Sequence, residues 1–514
     1  MSSSALAPGL DRNTCVILGS GRAEAAATWH FRRAPARCYG ARVKRDLGAL
    51  TAREHDLVVI GGGIHGAAVA WDAAQRGLDV ALVEAADFGS GVSWNSLKTI
   101  HGGLRHLQRA DLAMARESMR ERRAMLRIAP GIMRPLPFLA PIYGHGLRGR
   151  EAFALALHLH DLVGRDRNEG LPRERQIPAS RVLSPAELVR IVPAIDAEGL
   201  TGGAVWYDAQ VTHSERLVIG FCRAAADAGA SVANYVAATG FLRSGRGVTG
   251  IRARDVEGGG ELEVRSRMVA IATGPGVDRL LARAEVKPAS TPLLLGMNLV
   301  LRRPLVTTHA VGARSGSRYL FLVPWRDRSI VGTAYAPPTA ALDVAVSRFL
   351  GEAHRAFPWA GIEAEDVALV HRGLVPARPG SGELETRSRV VDHEAEDGVR
   401  GLISLRGVKL TTARAEAEKV VDLVVRRLGR SAPPCRTATT PLPAAHPMEG
   451  SLAEQAVRAV REEMALHLAD VVLRRMDLGA AGRVPERDLE VVASAMSSAT
   501  GWDEQRTRGE LQVV

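Results

Sequence analysis

The segment "DLVVIGGGIHGAAVAWDAAQRGLDVALVE", residues 56–84, carries the strongest indication of the fold. An apolar run of strand type is followed by a glycine-rich turn, a helical pattern and a second apolar run that ends at Glu84. Gly61, Gly63 and Gly66 form the pattern G-x-G-x-x-G, in which the first glycine permits a tight turn, the second lets backbone N–H groups approach a pyrophosphate, and the third lets helix and strand pack closely. A carboxylate at Glu84 can bind both hydroxyls of a ribose. The segment therefore predicts a Rossmann-like unit that binds a dinucleotide.

Three further features indicate which dinucleotide this is. Glu84 would repel a 2′-phosphate, which disfavours NADP. The fingerprint stands at the start of the regular pattern, and a late strand, "MVAIATG", ends at Thr273 and Gly274, as does the second FAD-contacting segment of two-domain flavoproteins. Gly407 precedes Lys409 and Thr411 at the start of a predicted helix, whose N-terminus could stabilise negative charge on a reduced flavin. We therefore expect FAD.

Composition limits the class of protein. The chain has 514 residues, of which 46% are hydrophobic and 24% charged, and its net charge is +11. These values are typical of a globular protein of several lobes whose charge favours anionic partners. Its four cysteines are far apart, which suggests a reducing compartment. No apolar run is long enough to span a bilayer, and the tryptophans are too scattered to form a stacking platform for nucleic acid. We expect no nucleic-acid partner and a cytoplasmic protein, with peripheral contact to the inner face of the membrane as a further expectation.

The pattern divides the chain into four parts. Residues 111–128 predict an amphipathic helix, and the prolines of "PGIMRPLPFLAP" predict a break in regular structure where a second lobe begins. Ser451 and Glu454 predict a capping box for one helix that continues to Arg475. The expected parts are a poorly ordered leader (1–54), an oxidoreductase core (55–430), a linker (431–449) and a helical C-terminal cap (450–514). Within the core we expect an FAD lobe (about 55–110, 200–285 and 395–430) and a mixed α+β substrate lobe (about 111–199 and 286–394).

Several segments together resemble the FAD-dependent glycerol-3-phosphate dehydrogenases and oxidases of the D-amino-acid-oxidase superfamily. Besides the fingerprint, they are "SWNSLKTIHGGLRHLQ", "YDAQ", "ATGPGVDRLL", "FLVPWRDRSIVGTAY", "GVKLTTARAEAE" and, near the C-terminus, "AVREEMALHLADVVLRRMDLG" and "GWDEQR". The resemblance implies FAD-dependent oxidation of sn-glycerol 3-phosphate to the ketone in glycerol metabolism, with hydride passing to flavin N5. It leaves the electron acceptor open between a quinone and oxygen. The oligomeric state is not specified by the sequence, and a homodimer is the working expectation.

The resemblance also assigns roles to residues. "SWNSLKTIHGGLRHL" would lie against the flavin, with Ser93 and Ser96 as flavin contacts and with Gly102 and Gly103 letting the main chain approach the cofactor. His101 would take the hydroxyl proton of the substrate. Arg105, Arg387 and Lys409 would hold its anionic group, because guanidinium forks suit a phosphate dianion. His106 is predicted to be structural, and no metal site is predicted, since the histidines of "HLHD" (158–161) have no second cluster of ligands.

Two departures from the family pattern leave the substrate open. Val375 stands where the family commonly has a phosphate-binding arginine, and Asn298 stands where it has a histidine that faces the substrate. A different hydroxy acid or an amine is therefore the alternative substrate, and a flavin-binding module without turnover is the alternative function.

Overall fold

The computed structural model describes residues 16–17, 45–107, 109–146, 149–287, 291–316, 318–380, 382–476 and 478–514. In these residues the strands form a ten-stranded and an eight-stranded sheet. The strands are β1 (Val16–Ile17), β2 (His55–Ile60), β3 (Val80–Val83), β4 (Thr99–Ile100), β5 (Met133–Tyr143), β6 (Arg181–Leu183), β7 (Leu200–Val211), β8 (Ser231–Ala233), β9 (Val236–Ser244), β10 (Gly247–Asp255), β11 (Glu261–Ile271), β12 (Leu293–Leu301), β13 (Ala310–Ser315), β14 (Arg318–Trp325), β15 (Arg328–Ala336), β16 (Val367–Pro376), β17 (Arg389–Asp392) and β18 (Leu402–Arg406).

The helices cover the sheets and build the C-terminal region. They are α1 (Leu47–Thr51), α2 (Ile64–Gln75), α3 (Leu104–Leu107), α4 (Leu112–Ile128), α5 (Arg150–Val163), α6 (Pro185–Ile191), α7 (Ser214–Asp227), α8 (Val277–Arg283), α9 (Leu342–Ala356), α10 (His393–Asp397), α11 (Ala413–Leu428), α12 (Leu452–Glu463), α13 (Leu468–Asp470), α14 (Glu486–Thr500) and α15 (Glu504–Val513). In the described part of the chain, none of these helices has the length and apolar content that a membrane crossing requires.

The eight-stranded sheet contains the predicted Rossmann-like unit. Six of its strands run in the order β17-β18-β11-β2-β3-β8, with β10 beside β11 and β9 beside β10. The strands from β18 to β8 in this row are parallel to one another, whereas β17 is antiparallel to β18. Helix α2 follows β2 and is buried between the sheet and helices α7 and α11, with the rings of Trp71 and Phe221 5.4 Å apart. Parallel strands place their carboxyl ends at one edge, which is where ligands bind in such sheets. The predicted α/β fold class is confirmed.

The ten-stranded sheet forms the wall opposite that edge. It runs β1-β16-β12-β15-β14-β13-β5-β7-β4, with β6 beside β7. Strand β7, which the sequence interpretation placed with the nucleotide-binding lobe, lies in this sheet. The predicted break at "PGIMRPLPFLAP" is wrong, because β5 is an eleven-residue strand. The three prolines, at positions 135, 137 and 141, are separated by even numbers of residues, so the N–H groups that they lack would all face the same edge of the strand. The N–H groups on the other edge of β5 remain available to the neighbouring strand.

The C-terminal region is helical, as predicted, but its first helix is shorter than expected. The capping box of Ser451 and Glu454 is present, whereas α12 ends at Glu463 and Met464 adopts a left-handed conformation with φ 54°. Met464 is buried in the core around α2 and α7, and its carbonyl accepts a hydrogen bond from Asn234 of the main domain. Packing against the core therefore ends the helix, and the chain continues through α13 and a π-helical turn. Helices α14 and α15 complete this region.

Part of the predicted leader packs onto the core. Most of residues 1–54 lie outside the described residues, but α1 is capped by Asp46 and buries Leu50 completely. Arg45 forms an ion pair with Asp255 and donates to the carbonyl of Asn234. Residues 45–54 thus contribute to the outer face of the eight-stranded sheet.

Candidate active site

The turn between β2 and α2 is shaped by glycines that no other residue could replace without displacing the backbone. Gly61 has φ +112°, and a Cβ atom there would lie 2.7 Å from the carbonyl oxygen of Ala272, at the end of β11. A Cβ on Gly66 would overlap the carbonyl oxygen of Gly61, and Gly63 is the N-cap of α2 in extended conformation. The first turn of α2 therefore directs its N–H groups towards the carboxyl edge of the sheet. This is where such sheets bind a dinucleotide, and the region is called the dinucleotide groove below.

Glu84 and Thr273 border this groove. The Glu84 carboxylate accepts hydrogen bonds from the backbone N–H of Gly62 (2.6 Å) and of Ala86 (3.0 Å), and burial raises its pKa. The hydroxyl of Thr273 is buried without a hydrogen-bond partner in the described part of the chain, and Gly274 follows it with φ +54°. A glycine cradle, a helix N-terminus, a terminal carboxylate and an unsatisfied hydroxyl together fit the adenosine diphosphate half of FAD.

The two serines of "SWNSLK" occupy different environments. The hydroxyl of Ser93 accepts a hydrogen bond from the backbone N–H of Ile64 (3.0 Å), so it lies directly at the N-terminus of α2. Ser96 instead accepts from the N–H of Lys98 (3.2 Å), and its carbonyl contacts the ring of His371 (3.3 Å). Ser93 is therefore the better placed of the two for contact with a bound dinucleotide.

Gly102 and Gly103 are required by packing within the protein. A Cβ on Gly102 would overlap the guanidinium group of Arg122 and lie 2.9 Å from the carboxylate of Asp208. Gly103 has φ +84°, and its Cβ would lie 2.9 Å from the backbone of Ala115 on α4. The sequence interpretation explained this pair by approach to a cofactor, whereas the structure explains it by the close seating of the loop on α4 and β7.

His101 is held at the junction of the two sheets. Its Nδ1 lies 3.0 Å from a carboxylate oxygen of Asp208, and its backbone N–H donates to the hydroxyl of Thr411 (3.2 Å), which precedes α11. The side chain is 50% exposed, and its ring lies 5.9 Å from Phe138 and 6.3 Å from Phe321. This geometry assigns the proton to Nδ1 and leaves Nε2 as the acceptor, with the hydroxyl of Thr99 3.2 Å away.

Asp208 is a functional residue that the sequence analysis did not single out. Its carboxylate is 5% exposed and accepts from His101, from the N–H of Gly102 (2.5 Å) and from Arg122 (3.0 Å). Burial by itself would raise its pKa, but hydrogen bonding and charge from His101, the charge of Arg122 and the N–H of Gly102 lower it to about 2. The segment "YDAQ" contains this residue, and an ionisable side chain within an apolar strand is the signal that identifies it.

A second cluster contains Arg105, His106 and Lys409. The ammonium of Lys409 lies 2.7 Å from Nε2 of His106, so the ring acts as a neutral acceptor. Burial and the neighbouring charge of Lys409 lower the pKa of His106 to about 4, and burial also lowers the pKa of Lys409. Arg105 is exposed, and in the described part of the chain its guanidinium has no ion-pair partner. His106, predicted to be structural, thus borders the same positively charged area.

Arg387 lies at the outer rim of this area. Its side chain is 63% exposed, and its guanidinium is 2.7 Å from the carboxylate of Asp111, which also caps α4. An arginine that is already paired and solvated has less to offer an anionic ligand than Arg105 has. The sequence analysis placed both arginines in one anion pocket, and the structure distinguishes their surroundings.

Val375 and Asn298 lie on neighbouring strands of the ten-stranded sheet. Asn298, on β12, is buried and accepts a hydrogen bond from the hydroxyl of Thr333 (2.7 Å). A Cβ on Gly296 would lie 3.6 Å from the ring of Tyr335 and 3.7 Å from Val375. Neither side chain supplies a positive charge, so the cationic groups near His101 come from α3 and from the loop after β18.

That loop is also fixed by close packing. A Cβ on Gly407 would overlap the ring of His65, which comes from the fingerprint segment itself. His65 lies 2.8 Å from the carboxylate of Glu416, and Thr412 donates to the same carboxylate (2.5 Å). These contacts bring Gly407, Lys409 and Thr411 beside α2 and His101. The sequence analysis had grouped the same three residues at the start of one predicted helix.

Comparison with known proteins agrees with this arrangement. The family model of the FAD-dependent oxidoreductases matches residues 56–423, and that of the C-terminal domain of alpha-glycerophosphate oxidase matches residues 435–507. A glycerol-3-phosphate dehydrogenase from Synechocystis is 34% identical over 414 residues, covering 76% of this chain and 73% of that protein. The Mycobacterium leprae protein of the same name is 33% identical over 72% of this chain and 63% of its own length.

Solved structures show the same fold. A glycerol-3-phosphate dehydrogenase from Bacillus halodurans complexed with FAD superposes with a TM-score of 0.68 at 22% identity, covering 91% of this chain and 95% of that one. The L-alpha-glycerophosphate oxidase of Mycoplasma pneumoniae with FAD bound gives 0.55 at 16% identity, covering 76% and 99%. With a glycine cradle at residues 61–66 that fits the cofactor and a family match over most of its length, the chain belongs to the FAD-dependent oxidoreductases.

Proposed function

We propose that the protein oxidises sn-glycerol 3-phosphate to dihydroxyacetone phosphate, with hydride passing to flavin N5. The observation that carries this proposal is the half-exposed imidazole of His101, held by the buried carboxylate of Asp208. Arg105 stands a few residues further along, and its guanidinium has no ion-pair partner among the described residues. A base and an anion-binding group on one short segment suit an alcohol with a phosphate at its other end. The naming of the curated relatives supports the same substrate.

The chain supplies the acid–base part of this reaction. Bound FAD would provide the acceptor for the two electrons and the hydrogen carried by the substrate carbon. His101 takes the hydroxyl proton on Nε2 while Asp208 keeps the proton on Nδ1 and compensates the positive charge that develops on the ring. Phe138 and Phe321 exclude water from one face of the imidazole and so strengthen its interaction with Asp208.

Positive charge near His101 would hold the phosphate. Arg105 is exposed and has no ion-pair partner in the described ranges, so its guanidinium could bind an anion. Burial lowers the pKa of Lys409, and a bound anion would stabilise the charged form of this ammonium. Each charge-assisted hydrogen bond to such a group is worth roughly 1.5–3 kcal/mol. Because Val375 contributes no charge, recognition of the anion rests on Arg105 and Lys409.

Anaerobic titration of the purified flavoprotein tests the proposal. We expect sn-glycerol 3-phosphate to bleach the flavin absorbance, and His101→Gln to slow that bleaching by about 10²-fold or more while leaving dithionite reduction unchanged. Bleaching only by other alcohols, hydroxy acids or amines would replace the substrate, an outcome for which Val375 and Asn298 are the structural reason. Reduction by dithionite alone would identify a flavin-binding module without turnover.

Helix α5 is the proposed point of contact with a membrane. Leu155, Leu159 and Leu162 lie on one face of this helix and are 62%, 48% and 57% exposed, and Arg150 and Arg165 are exposed at its two ends. An apolar helix face flanked by cations suits the interface of an anionic bilayer, especially in a chain of net charge +11. We propose that the protein binds there peripherally, on the cytoplasmic side, and passes its electrons to a quinone, with oxygen as the alternative acceptor.

Vesicle co-sedimentation checks the membrane contact. Wild-type protein should sediment with vesicles containing anionic lipid, and Leu155→Glu with Leu159→Glu should remain in the supernatant with unchanged flavin content. Val344→Glu is a matched control, since Val344 is equally exposed (63%) on α9. Equal sedimentation of all three proteins would remove α5 from the proposal.

A further inference from the structure

The short segment from Glu84 to Asp87 connects the dinucleotide groove to the C-terminal helical region. We propose that Arg474 and Arg475 of that region, acting through Asp87, position the Glu84 carboxylate for the adenosine ribose, so that affinity for FAD depends on residues beyond 450. This inference rests on the ribose-binding role proposed above for Glu84. Arg474, Arg475 and Asp87 are positioning residues in it, since none of them borders the groove.

Asp87 is completely buried and is held by both arginines. Nη1 and Nη2 of Arg475 each donate a hydrogen bond of 2.7 Å to one of the two carboxylate oxygens of Asp87. Nε of Arg474 donates to one of these oxygens at 2.5 Å. The side chain of Asn234 donates to the remaining oxygen at 3.1 Å. Burial would raise the pKa of Asp87, but the charges of Arg475 and Arg474 lower it well below its ordinary range. The carboxylate is therefore ionised, and only the C-terminal region supplies cations to it among the described residues.

The link from Asp87 to Glu84 runs through the backbone of the residues between them. The N–H of Ala86 donates to the Glu84 carboxylate (3.0 Å), while the carbonyl of Ala86 accepts from the N–H of Tyr235 (3.0 Å). The N–H of Val236 donates to the carbonyl of Glu84 (2.7 Å). Ala86 is thus the neighbour of Asp87 and a hydrogen-bond partner of Glu84, so a displaced Asp87 would carry away the N–H that orients the ribose-binding group.

The C-terminal region holds Arg475 firmly enough to transmit this constraint. The guanidinium of Arg475 also donates to the carbonyl of Glu463 (3.0 Å), the last residue of α12. Arg474 donates to Asp470 (2.7 Å), which in turn accepts from the hydroxyl of Tyr235 (2.6 Å). The arginines, the end of α12 and the strand beside Glu84 form one continuous buried network. If these ion pairs are weakened, the buried carboxylate of Asp87 loses its compensating charge. It can regain solvation only if residues 84–87 move.

Flavin affinity of the full-length chain tests the inference. The probes are FAD and an FAD analogue whose adenosine lacks both ribose hydroxyls, each titrated into deflavinated protein with flavin fluorescence as the readout. Wild type should bind FAD at least tenfold more tightly than the analogue. Arg475→Lys, which keeps the charge and loses the bidentate fork, should weaken FAD binding at least tenfold and bring the two affinities within a factor of two.

Arg216→Lys is the matched control. Arg216 is also buried and forms a bidentate pair with Glu463 (2.6 and 2.9 Å), yet it belongs to α7 and does not touch residues 84–87. It should leave the preference for FAD over the analogue intact. A general loss of stability lowers both affinities together, so the ratio still reports on Glu84 if Arg475→Lys is destabilised, and Asp87→Asn provides a second variant if it does not fold.

The possible outcomes distinguish failure of this inference from failure of the ribose-binding role of Glu84 and from failure of the proposed oxidation. A full preference for FAD in Arg475→Lys or Asp87→Asn would overturn the coupling. No preference in wild type would overturn the ribose-binding role of Glu84 and the inference with it. Both readouts are independent of which substrate reduces the flavin, so failure of the proposed oxidation would leave them unaffected.

Discussion

The substitution Asp208→Asn perturbs the centre of the proposed site with the smallest change in shape. Asp208 receives hydrogen bonds from His101, from the N–H of Gly102 and from Arg122, and all three partners are donors. An asparagine amide must turn its own N–H₂ group towards one of them, so at least one contact becomes repulsive. The buried Arg122 also loses its counter-ion, although its Nη1 keeps a hydrogen bond to the carbonyl of Tyr207.

Two routes give the size of the effect on stability. The pKa of Asp208 is lowered from 3.8 to about 2, and since one pKa unit corresponds to about 1.4 kcal/mol, this represents on the order of 2 kcal/mol of stability at neutral pH. Because the folded-state pKa is the lower one, this stability is present above pH 4 or so and disappears as the pH falls towards about 2. Removing one partner of a buried ion pair typically costs about 3–5 kcal/mol. We therefore expect the free energy of unfolding to fall by about 2–4 kcal/mol.

The assays are urea unfolding of the holoprotein and anaerobic stopped-flow reduction of the flavin. Loss of the Nδ1 partner should slow reduction by substrate by about 10²-fold or more at neutral pH, because His101 no longer holds the required tautomer. Asp166→Asn is the control: Asp166 likewise has two cationic partners, Arg116 and Arg123, but its side chain is 25% exposed. Wild-type reduction rates in folded Asp208→Asn protein would refute the role assigned to this carboxylate.

Three further predictions follow from the glycines and arginines of the site. Gly102→Ala should reduce both stability and the rate of flavin reduction, because its methyl group would overlap Arg122, whereas Gly91→Ala, where a Cβ meets open space, should change neither in the same two assays. Gly66→Ala should yield protein without flavin, seen as a loss of visible absorbance after purification, because the methyl group would overlap the carbonyl of Gly61; normal flavin content would contradict the proposed cradle. Arg105→Ala should raise the KM for sn-glycerol 3-phosphate tenfold or more, about 1.4 kcal/mol, while Arg387→Ala should change it less than threefold because that guanidinium is exposed and paired with Asp111; the reverse order in steady-state kinetics would exchange their roles.

The fold was predictable where local pattern and tertiary structure agree. In the fingerprint of residues 61–66, backbone contacts require glycine at Gly61 and Gly66, and Gly63 is the N-cap of α2. The order of strand, helix and second strand therefore follows from the sequence alone. The strand β5 was not predictable in this way, because three prolines argue against a strand. They are compatible with one only because all three lie at odd-numbered positions and so face the same edge. The end of α12 at Met464 depends on a contact with Asn234, some 230 residues earlier in the chain, which no local pattern contains.

The site shows the same division. His101 and Arg105 follow from a motif in one short segment of the sequence. Asp208 and Arg122 are distant in sequence from His101, and their role appears only when β7 and α4 are seen to enclose Gly102. The contact between His106 and Lys409 joins residues about 300 positions apart, which no local pattern contains.

The distribution of the site over the two sheets has a consequence for how such a protein can change. His101 is hydrogen-bonded to Thr411 of the cofactor-binding half and to Asp208 on β7 of the ten-stranded sheet. The proposed base is therefore held in a fixed position relative to the cofactor-binding half. Val375, Asn298 and Tyr335 lie on β16, β12 and β15, which contribute neither of these two hydrogen bonds. We therefore expect substitutions on these three strands to change the substrate preference while the contacts of His101 with Thr411 and Asp208 stay in place.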